Sequence, residues 1–453
     1  MNKAPKAALT LAAAAVSTSL VLSGCSSAAG TTGGGGAAAA PLGQDAITKA
    51  LNTPTTLTFW TWVPDIDKQV KLFQAKYPKI KVKVENVGQG LEHYQKVRTA
   101  VKSGQGAPDV VQIEYQFISS FTLTKSLLDL APYGADDLEG DYVPWVWNQV
   151  KQNGGIYAIP QDTGPLGNLY RTDIMKKAGI ATPPATYDEY AAAAQKVKDA
   201  TGSYISNLPS NDPAQVTGLL WQAGIKPFSY DGNRTVGINA NSPEVKKVLA
   251  YWQGLIQKGL VSTDGDFTDQ WYQGFASGKY AGWLTAAWGP IFLQGTAKGT
   301  AGKWSAAPLP QWARGQNASG NWGGSSDAVL ASSKNPIAAY ELAKWINNDK
   351  SSTTKFANEQ FLFPAAKNVL EDPAFTGGKS SFFGGQQVNK QFAEISGTVD
   401  TKFEWLPFMD YAYSAFNDTV GKAIGDKGDL SAASDAWQTK LVSYAKAQGF
   451  TVK

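Results

Sequence analysis

The chain has 453 residues, with 41 Lys and Arg against 37 Asp and Glu, one His and one Cys, for a formal net charge of +4. That length suits two domains, each able to bury its own core without disulfides, and the near-neutral balance with no arginine-rich run leaves no footprint for nucleic acid. A lone thiol can crosslink nothing within the chain, and with a single imidazole beside it a soft-ligand metal site is excluded.

Residues 1–24 have the form of an export signal: Lys3 and Lys6, the apolar run "ALTLAAAAVSTSLVL", then the small pair Ser23-Gly24. The run is too short and too weakly hydrophobic for a spanning helix, and no stop-transfer pattern follows. Leu22, Ser23, Gly24 and Cys25 resemble, in order, the lipobox of a bacterial lipoprotein signal. The resemblance implies cleavage before Cys25 and a thioether-linked diacylglycerol on its sulfur, a role that suits a soft thiolate nucleophile. The alternative for Cys25 is a small buried hydrophobe. Residues 25–53 open with "SSAAGTTGGGGAAAAP", which cannot bury enough apolar surface to offset its ordering entropy, so they are expected to form a flexible tether.

The folded part begins with a strand in "TLTFWTWV", a helix through "DKQVKLFQAKY" broken before Pro78, and a half-buried strand in "KIKVKVENV", where Ile80, Val82 and Val84 alternate with lysines. A helix around "YQKVRTAVKSG" ends at a glycine, and "PDVVQI" reads as a short buried strand. This β-α-β-α-β order predicts a parallel sheet covered by helices. Further along, Thr186 and Glu189 form a capping box, Pro243 opens a helix that turns Val245, Val248, Leu249, Trp252, Leu255 and Ile256 to one face, and Pro336 opens another with Trp345 inward.

Four blocks, "YQKVRTAVKSGQGAPDVVQIEY", "GGIYAIPQDTGPLGNLYRTDIMKKAGIATPPATYDEY", "FASGKYAGWLTAAWGP" and "GGSSDAVLASSKNPIAAYELAKWI", resemble the extracellular solute-binding proteins of ABC sugar importers, the maltodextrin-binding type. They run in that family's order, and the resemblance covers essentially residues 54–453. It implies a two-lobed α/β periplasmic-binding-protein fold of type II, cluster B/D-like, with a hinge between discontinuous lobes. Carried onto this chain, the lobes are 54–163 plus 326–372 and 164–325 plus 373–453, with crossings near Thr163, Asn321 to Ser325, and residue 372. It further implies a monomeric receptor tethered at the extracellular face of the cytoplasmic membrane through the lipid on Cys25, which hands an oligosaccharide to ABC permease subunits. No cofactor is expected.

Sugars present hydroxyl edges and apolar ring faces, and the chain's 15 Trp, 18 Tyr and 19 Phe include many whose polar edge needs a partner. Ligands gather beyond the carboxyl ends of strands in open α/β sheets. Trp62, then Glu114, Tyr115 and Gln116, then Asp162 and Thr163 occupy such places and are candidate contacts, with lobe packing and helix capping as their alternatives. The resemblance puts Trp288 where an aromatic stacks on a sugar ring. Trp322 and Gly324 enter the second crossing, where glycine allows close approach of backbone to a ligand. Phe361 and Trp405 lie in loop-like segments before prolines; Trp221 and Trp271 sit on predicted helices, where inward packing is the default; Asn211 or Asp212 points at a hydroxyl or caps a helix. Trp60, Trp252, Trp283, Trp304 and Trp345 are assigned to the core.

Rival readings are a secreted polysaccharide-acting glycoside hydrolase, which needs only two carboxylates, and a two-lobed receptor for a non-sugar solute. No acid and nucleophile pair is marked, and His93 in "GLEHYQK" reads as a solvated surface histidine rather than a catalytic base. Asp264, Asp266 and Asp269 lack the glycine and glutamate of a calcium loop and read as turn and cap residues. The chain has no G-x-x-x-x-G-K-[ST] run, so it is not the transporter's ATPase.

Overall fold

Period-two alternation fixes the first sheet. In β1 (Thr55–Trp60), Leu57 and Phe59 point inward between threonines; in β2 (Ile80–Glu85), the inward Ile80, Val82 and Val84 alternate with lysines. The computed structural model describes residues 42–453, so the export signal and the expected lipid site, Cys25, lie outside the described residues.

The tether expected through residue 53 needs correction. Helix α1 (Gln44–Leu51) is folded onto the body, with Leu51 buried, and the Leu42 amide donates to the Pro132 carbonyl at 3.0 Å. Its apolar positions, Ile47 and Leu51, are four apart and share a face, a pattern hidden by the low-complexity run before it.

β1 lies between β2 and β3 (Val110–Glu114), parallel to both, with α2 (Asp67–Lys76) and α3 (Gly90–Ser103) as the crossovers. Helix α3 ends at Gly104, whose φ of +67° is a left-handed cap that a side chain would strain. The sheet is completed by strand Ser325–Val329, antiparallel to β3 and to the short strand Ile159–Pro160. Helices α4 (Tyr115–Leu123) and α5 (Pro144–Val150) follow on the same layer.

The second sheet is antiparallel throughout, with Leu166–Arg171 between Gly282–Ala286 and Trp304–Pro308. Trp283 and Trp304 are buried within its strands, Trp252 is buried against Tyr187 and Tyr190, and Trp60 and Trp345 are buried in the first layer. The helix from Pro243 is capped by the Ser242 hydroxyl, and Thr186 accepts from the Glu189 amide; Glu189 reaches back to the Ala185 amide instead of closing the box on Thr186.

Passages between the two sheets lie side by side. Gly164 donates to Asn321 Oδ1 at 2.9 Å, the Trp322 amide to the Gly164 carbonyl at 2.8 Å, and the Thr163 amide to the Phe363 carbonyl at 2.8 Å. Further on, Lys350 holds Asp372 at 2.7 Å on the first layer, while Pro373–Thr376 packs on Val388–Ser396, which covers the second sheet. The chain then straps back across the first layer. Asn148 and Gln149 of α5 donate to the carbonyls of Thr401 and Phe403, and helix Met409–Phe416 packs on α4.

Candidate functional site

One wall of the site grows from the carboxyl ends of β1 and β3. Beyond β1, the half-buried Trp62 has its amide donating to Gln112 Oε1 at 3.1 Å, and its ring stands edge-on to His93 at 4.9 Å. His93 is fully buried, which corrects the solvated reading: its Nε2 meets the Gln112 carbonyl at 3.0 Å, and burial depresses its titration to about 4. Glu114 ends β3. Its Oε2 accepts from the Tyr94 hydroxyl at 3.0 Å and its Oε1 from Gln116 at 3.1 Å. Burial raises its pKa against these two donors, with the charges of Asp212 and Asp410 adding to the rise.

Across from it stands an aromatic and acidic wall carried by the second sheet. Trp288, half-buried, precedes helix Gly289–Thr296; its indole donates to the Trp322 carbonyl at 3.0 Å, and the two rings meet edge to face at 4.9 Å. Phe267, with φ of +58°, is 46% exposed and packs against both rings at about 6 Å. Phe292 and Tyr272 stack beside it. Below them, Asp212 caps helix Pro213–Gln222 through the Ala214 amide at 2.7 Å, and the exposed Asn211 accepts from the Asp266 amide at 3.0 Å. Asp266 is 3% exposed, faces Asp212, and neither of its carboxylate oxygens accepts a well-formed hydrogen bond, with the Asn211 side chain beside it. Burial, with Asp212 next, pushes Asp266 up strongly; burial pushes Asp212 up as well, opposed by the helix amides.

At the floor, Tyr413 comes under the charges of both Asp212 and Glu114, and Asp410 pairs with Arg98 of α3 at 2.6 Å. The hinge strands close the back. Asp162 accepts from the Ser325 amide at 2.9 Å, and burial lifts its carboxyl to about 7. The hydroxyl of the buried Tyr115 donates to the Asp162 carbonyl at 2.9 Å.

The sequence profile of the bacterial extracellular solute-binding proteins matches residues 56–352. The chain belongs to this family. It is 26% identical over 313 residues to the arabinooligosaccharide-binding protein of Bacillus subtilis (strain 168), covering 66% of this chain and 71% of that one. To the lactose-binding protein of Rhizobium radiobacter it is 25% identical, covering 75% and 81%. Among solved structures it resembles an ABC transporter associated binding protein of B. animalis subsp. lactis Bl-04 in complex with β-1,6-galactobiose, at TM-score 0.76 and 33% identity over 89% of this chain and 100% of that one. It also resembles the galacto-N-biose-/lacto-N-biose I-binding protein of Bifidobacterium longum, in complex with lacto-N-biose, at TM-score 0.77 and 27% identity over 88% and 98%. The fold is therefore the two-lobed, type II periplasmic-binding fold.

In this solute-binding protein the sequence-predicted residues fall into three groups. Trp62, Glu114, Gln116, Asn211, Trp288 and Trp322 come together on the two walls, Gln116 by holding Glu114 and Trp322 by flanking Trp288 and Asp212. Tyr115, Asp162, Thr163 and Gly324 lie together where the chain passes between the two sheets. Gly324 needs glycine for a reason other than the one expected: at φ +94° a Cβ would lie 2.8 Å from the Asp162 carbonyl oxygen and 2.9 Å from the Tyr115 ring, so the close approach is to the neighbouring hinge strand. Thr163 is fully buried and its amide donates to the Phe363 carbonyl at 2.8 Å.

A third group lies off the walls. Trp221, 1% exposed, stacks on Phe403 at 4.3 Å and donates to the Asp400 carbonyl; Trp405 donates to Gln149 at 2.6 Å and meets Trp221 at 6.0 Å. Both belong to the seam where the C-terminal strap crosses α5, which corrects their placement as site residues. Trp271 is buried behind Phe267, against Trp283 at 5.0 Å. Phe361, 51% exposed at φ +58°, lines with Trp288, Phe363, Phe383 and Asn389 a cavity of about 330 Å³ beside the walls.

Sequence reasoning missed Phe267, Tyr413 and the Asp212–Asp266 contact. "DGDFTD" read as turns; the signal in it was a phenylalanine between acids, an apolar ring where a turn needs none. Among the described residues no cluster of three or more His, Cys, Asp or Glu could hold a metal ion, and no helix is long and apolar enough to cross a membrane.

Proposed function

We propose that this solute-binding protein is a lipid-anchored receptor that binds an oligosaccharide between its walls and delivers it to the permease of an ABC transporter. The observation that carries the reading is the pairing of flat aromatic surface with hydroxyl-binding acids: Trp62 on one side, Trp288 and Phe267 on the other, and Glu114, Asn211 and Asp212 between them. Ring faces bury apolar C–H patches while carboxylates and amides accept from hydroxyls. The named relatives that bind arabinooligosaccharide, lactose, β-1,6-galactobiose and lacto-N-biose support a carbohydrate ligand of two or more rings.

Lobes 54–163 plus 326–372 and 164–325 plus 373–453 close about the crossings near Thr163, Asn321 to Ser325 and residue 372, the first two of which lie side by side. Closure is driven by contacts that exist only when one solute touches both walls, because a ligand held equally by the open form shifts nothing. Cys25 anchors the receptor through its lipid. The site does no chemistry on the sugar. Glu114 is tied to Tyr94 and Gln116, which suits a fixed acceptor more than a proton donor.

The test is calorimetric titration of the purified protein with a panel of galacto-, arabino-, malto- and xylo-oligosaccharides, followed by chromatography of the sugar after long incubation. Saturable binding with the sugar recovered intact supports the receptor; release of shorter products supports the hydrolase instead.

A further inference from the structure

The Asp212–Asp266 pair is more than a hydroxyl acceptor requires. A hydroxyl-binding carboxylate is satisfied by neighbouring donors, as Glu114 is by Tyr94 and Gln116. Asp266 is not: it is almost wholly buried, neither oxygen accepts a well-formed hydrogen bond although the Asn211 side chain stands beside it, and the group it faces is a second carboxyl. An ionised carboxylate left this way is costly. Around the pair stand Asn211, the Ala214 and Gln215 amides, Trp322, Tyr272 and Tyr413. Glu114 and Asp410 add two further carboxyls to the same space, and Arg98, the cation there, is committed to Asp410. Among the described residues no Lys or Arg side chain bonds to Glu114, Asp212 or Asp266. Facing like charges oppose each other's ionisation and burial adds to this, so both carboxyls are raised and the pair favours holding a proton between them.

We propose that Asp212 and Asp266 form a subsite for the protonated amine of an amino sugar, an oligosaccharide with an unacetylated hexosamine unit. This rests on the receptor reading above and narrows its substrate class. The ammonium supplies N–H donors to Asp266, whose oxygens lack well-formed ones, and its positive charge replaces the proton the pair shares. Binding therefore releases that proton to solvent: ammonium sugar plus singly protonated pair gives ammonium sugar on the doubly ionised pair plus H⁺. A hydroxyl in the same place donates one hydrogen bond and displaces nothing. Asp212 keeps its helix cap throughout, because the Ala214 amide bonds to its Oδ1 at 2.7 Å.

The experiment is titration calorimetry at about pH 6.5, where a sugar amine is protonated, in two buffers of different ionisation enthalpy. The probes are the homodisaccharides of glucosamine and of galactosamine, each beside its neutral parent and its N-acetyl form. An amino disaccharide is expected to bind about tenfold tighter than its neutral parent and to release about one proton per site, while the parent and the acetylated form release none. In Asp266→Asn and in Asp212→Asn, which keeps a capping side chain, the amino-to-neutral affinity ratio is expected to fall to about one and the proton release to vanish. Near-UV circular dichroism confirms that each variant is folded. If neutral disaccharides bind and the amino forms bind no tighter, or bind without releasing a proton, this inference falls and the receptor reading stands. If no saccharide in either panel binds, both fall.

Discussion

Tyr94 and Glu114 hold each other twice: the Tyr94 hydroxyl donates to Glu114 Oε2 at 3.0 Å and accepts from the Glu114 amide at 3.0 Å. Tyr94 is wholly buried on α3, so the crossover helix sets the position of a carboxylate at the end of β3. Tyr94→Phe removes both bonds and leaves the amide without its partner. A loss of about 1–3 kcal/mol of stability is expected, read from urea midpoints, together with weaker sugar binding as Glu114 is freed to turn.

Trp288 is held from behind by its indole bond to the Trp322 carbonyl and by Trp283 at 5.8 Å, which leaves one edge and face toward Phe267. Trp288→Ala is expected to weaken oligosaccharide binding at least tenfold with a smaller effect on melting temperature, because an aromatic anchor carries a disproportionate share of binding energy. An affinity within twofold of the wild type would remove Trp288 from the ligand-binding wall. Phe267→Ala tests the ring that the sequence did not reveal. Relief of its left-handed backbone is absent in this variant, so only ring contacts are lost, and weaker binding at near-constant stability is the expected outcome.

Gly324→Ala addresses the hinge. At φ +94° the new methyl would sit 2.8 Å from a carbonyl oxygen and 3.1 Å from the Thr163 Cα, both backbone neighbours that cannot swing aside. A loss of roughly 2–4 kcal/mol is expected, measured by thermal and urea unfolding, with a change in the closure that accompanies ligand binding in solution scattering.

The stability of the first lobe carries two opposed pH dependences. Asp327 is fully buried, accepts from Gln161 at 3.1 Å and Asn347 at 2.8 Å, and is lifted by burial to about 7. Its folded pKa lies above its unfolded one, so the folded state binds the extra proton and stability falls as pH rises from about 4 to about 7. Asp162 acts in the same direction. His93, depressed to about 4, does the reverse: its contribution is present above about 6.5 and is lost as pH falls toward 4. Asp327→Asn is expected to flatten the decline toward neutral pH, and His93→Gln to steepen it, in urea midpoints collected between about pH 4.5 and 7.5. Unchanged slopes would show that these groups titrate as they do in the unfolded chain.

What could be read from the residues follows from how local the deciding force is. Alternation in "KIKVKVENV", the proline at 243 and the left-handed stop at Gly104 act within a few residues, and the elements they define appear where expected. The core indoles of Trp252, Trp283 and Trp304 were legible for the same reason, each lying on the apolar face of its own element. His93 was misread because its neighbours in sequence are charged; its partners on α3, Val97 and Ala100 at spacings of four and seven, were the overlooked signal. Trp221, Trp405 and Phe267 could not be sorted by any local pattern. Whether an indole faces the walls or the seam depends on where the strap from Ser396 to Trp405 crosses α5, a contact between segments some 250 residues apart. The meeting of Asp212 with Asp266 likewise joins a helix cap to a distant loop.

The most direct measurement is a crystal structure of the protein with the tightest-binding oligosaccharide from the panel. A sugar ring is expected against Trp288, with hydroxyls on Glu114 and Asn211 and contacts to both walls at once. A ligand seated instead in the surface groove by Lys226 and Trp312, or touching one wall alone, would contradict the reading of these residues as a two-sided sugar clamp.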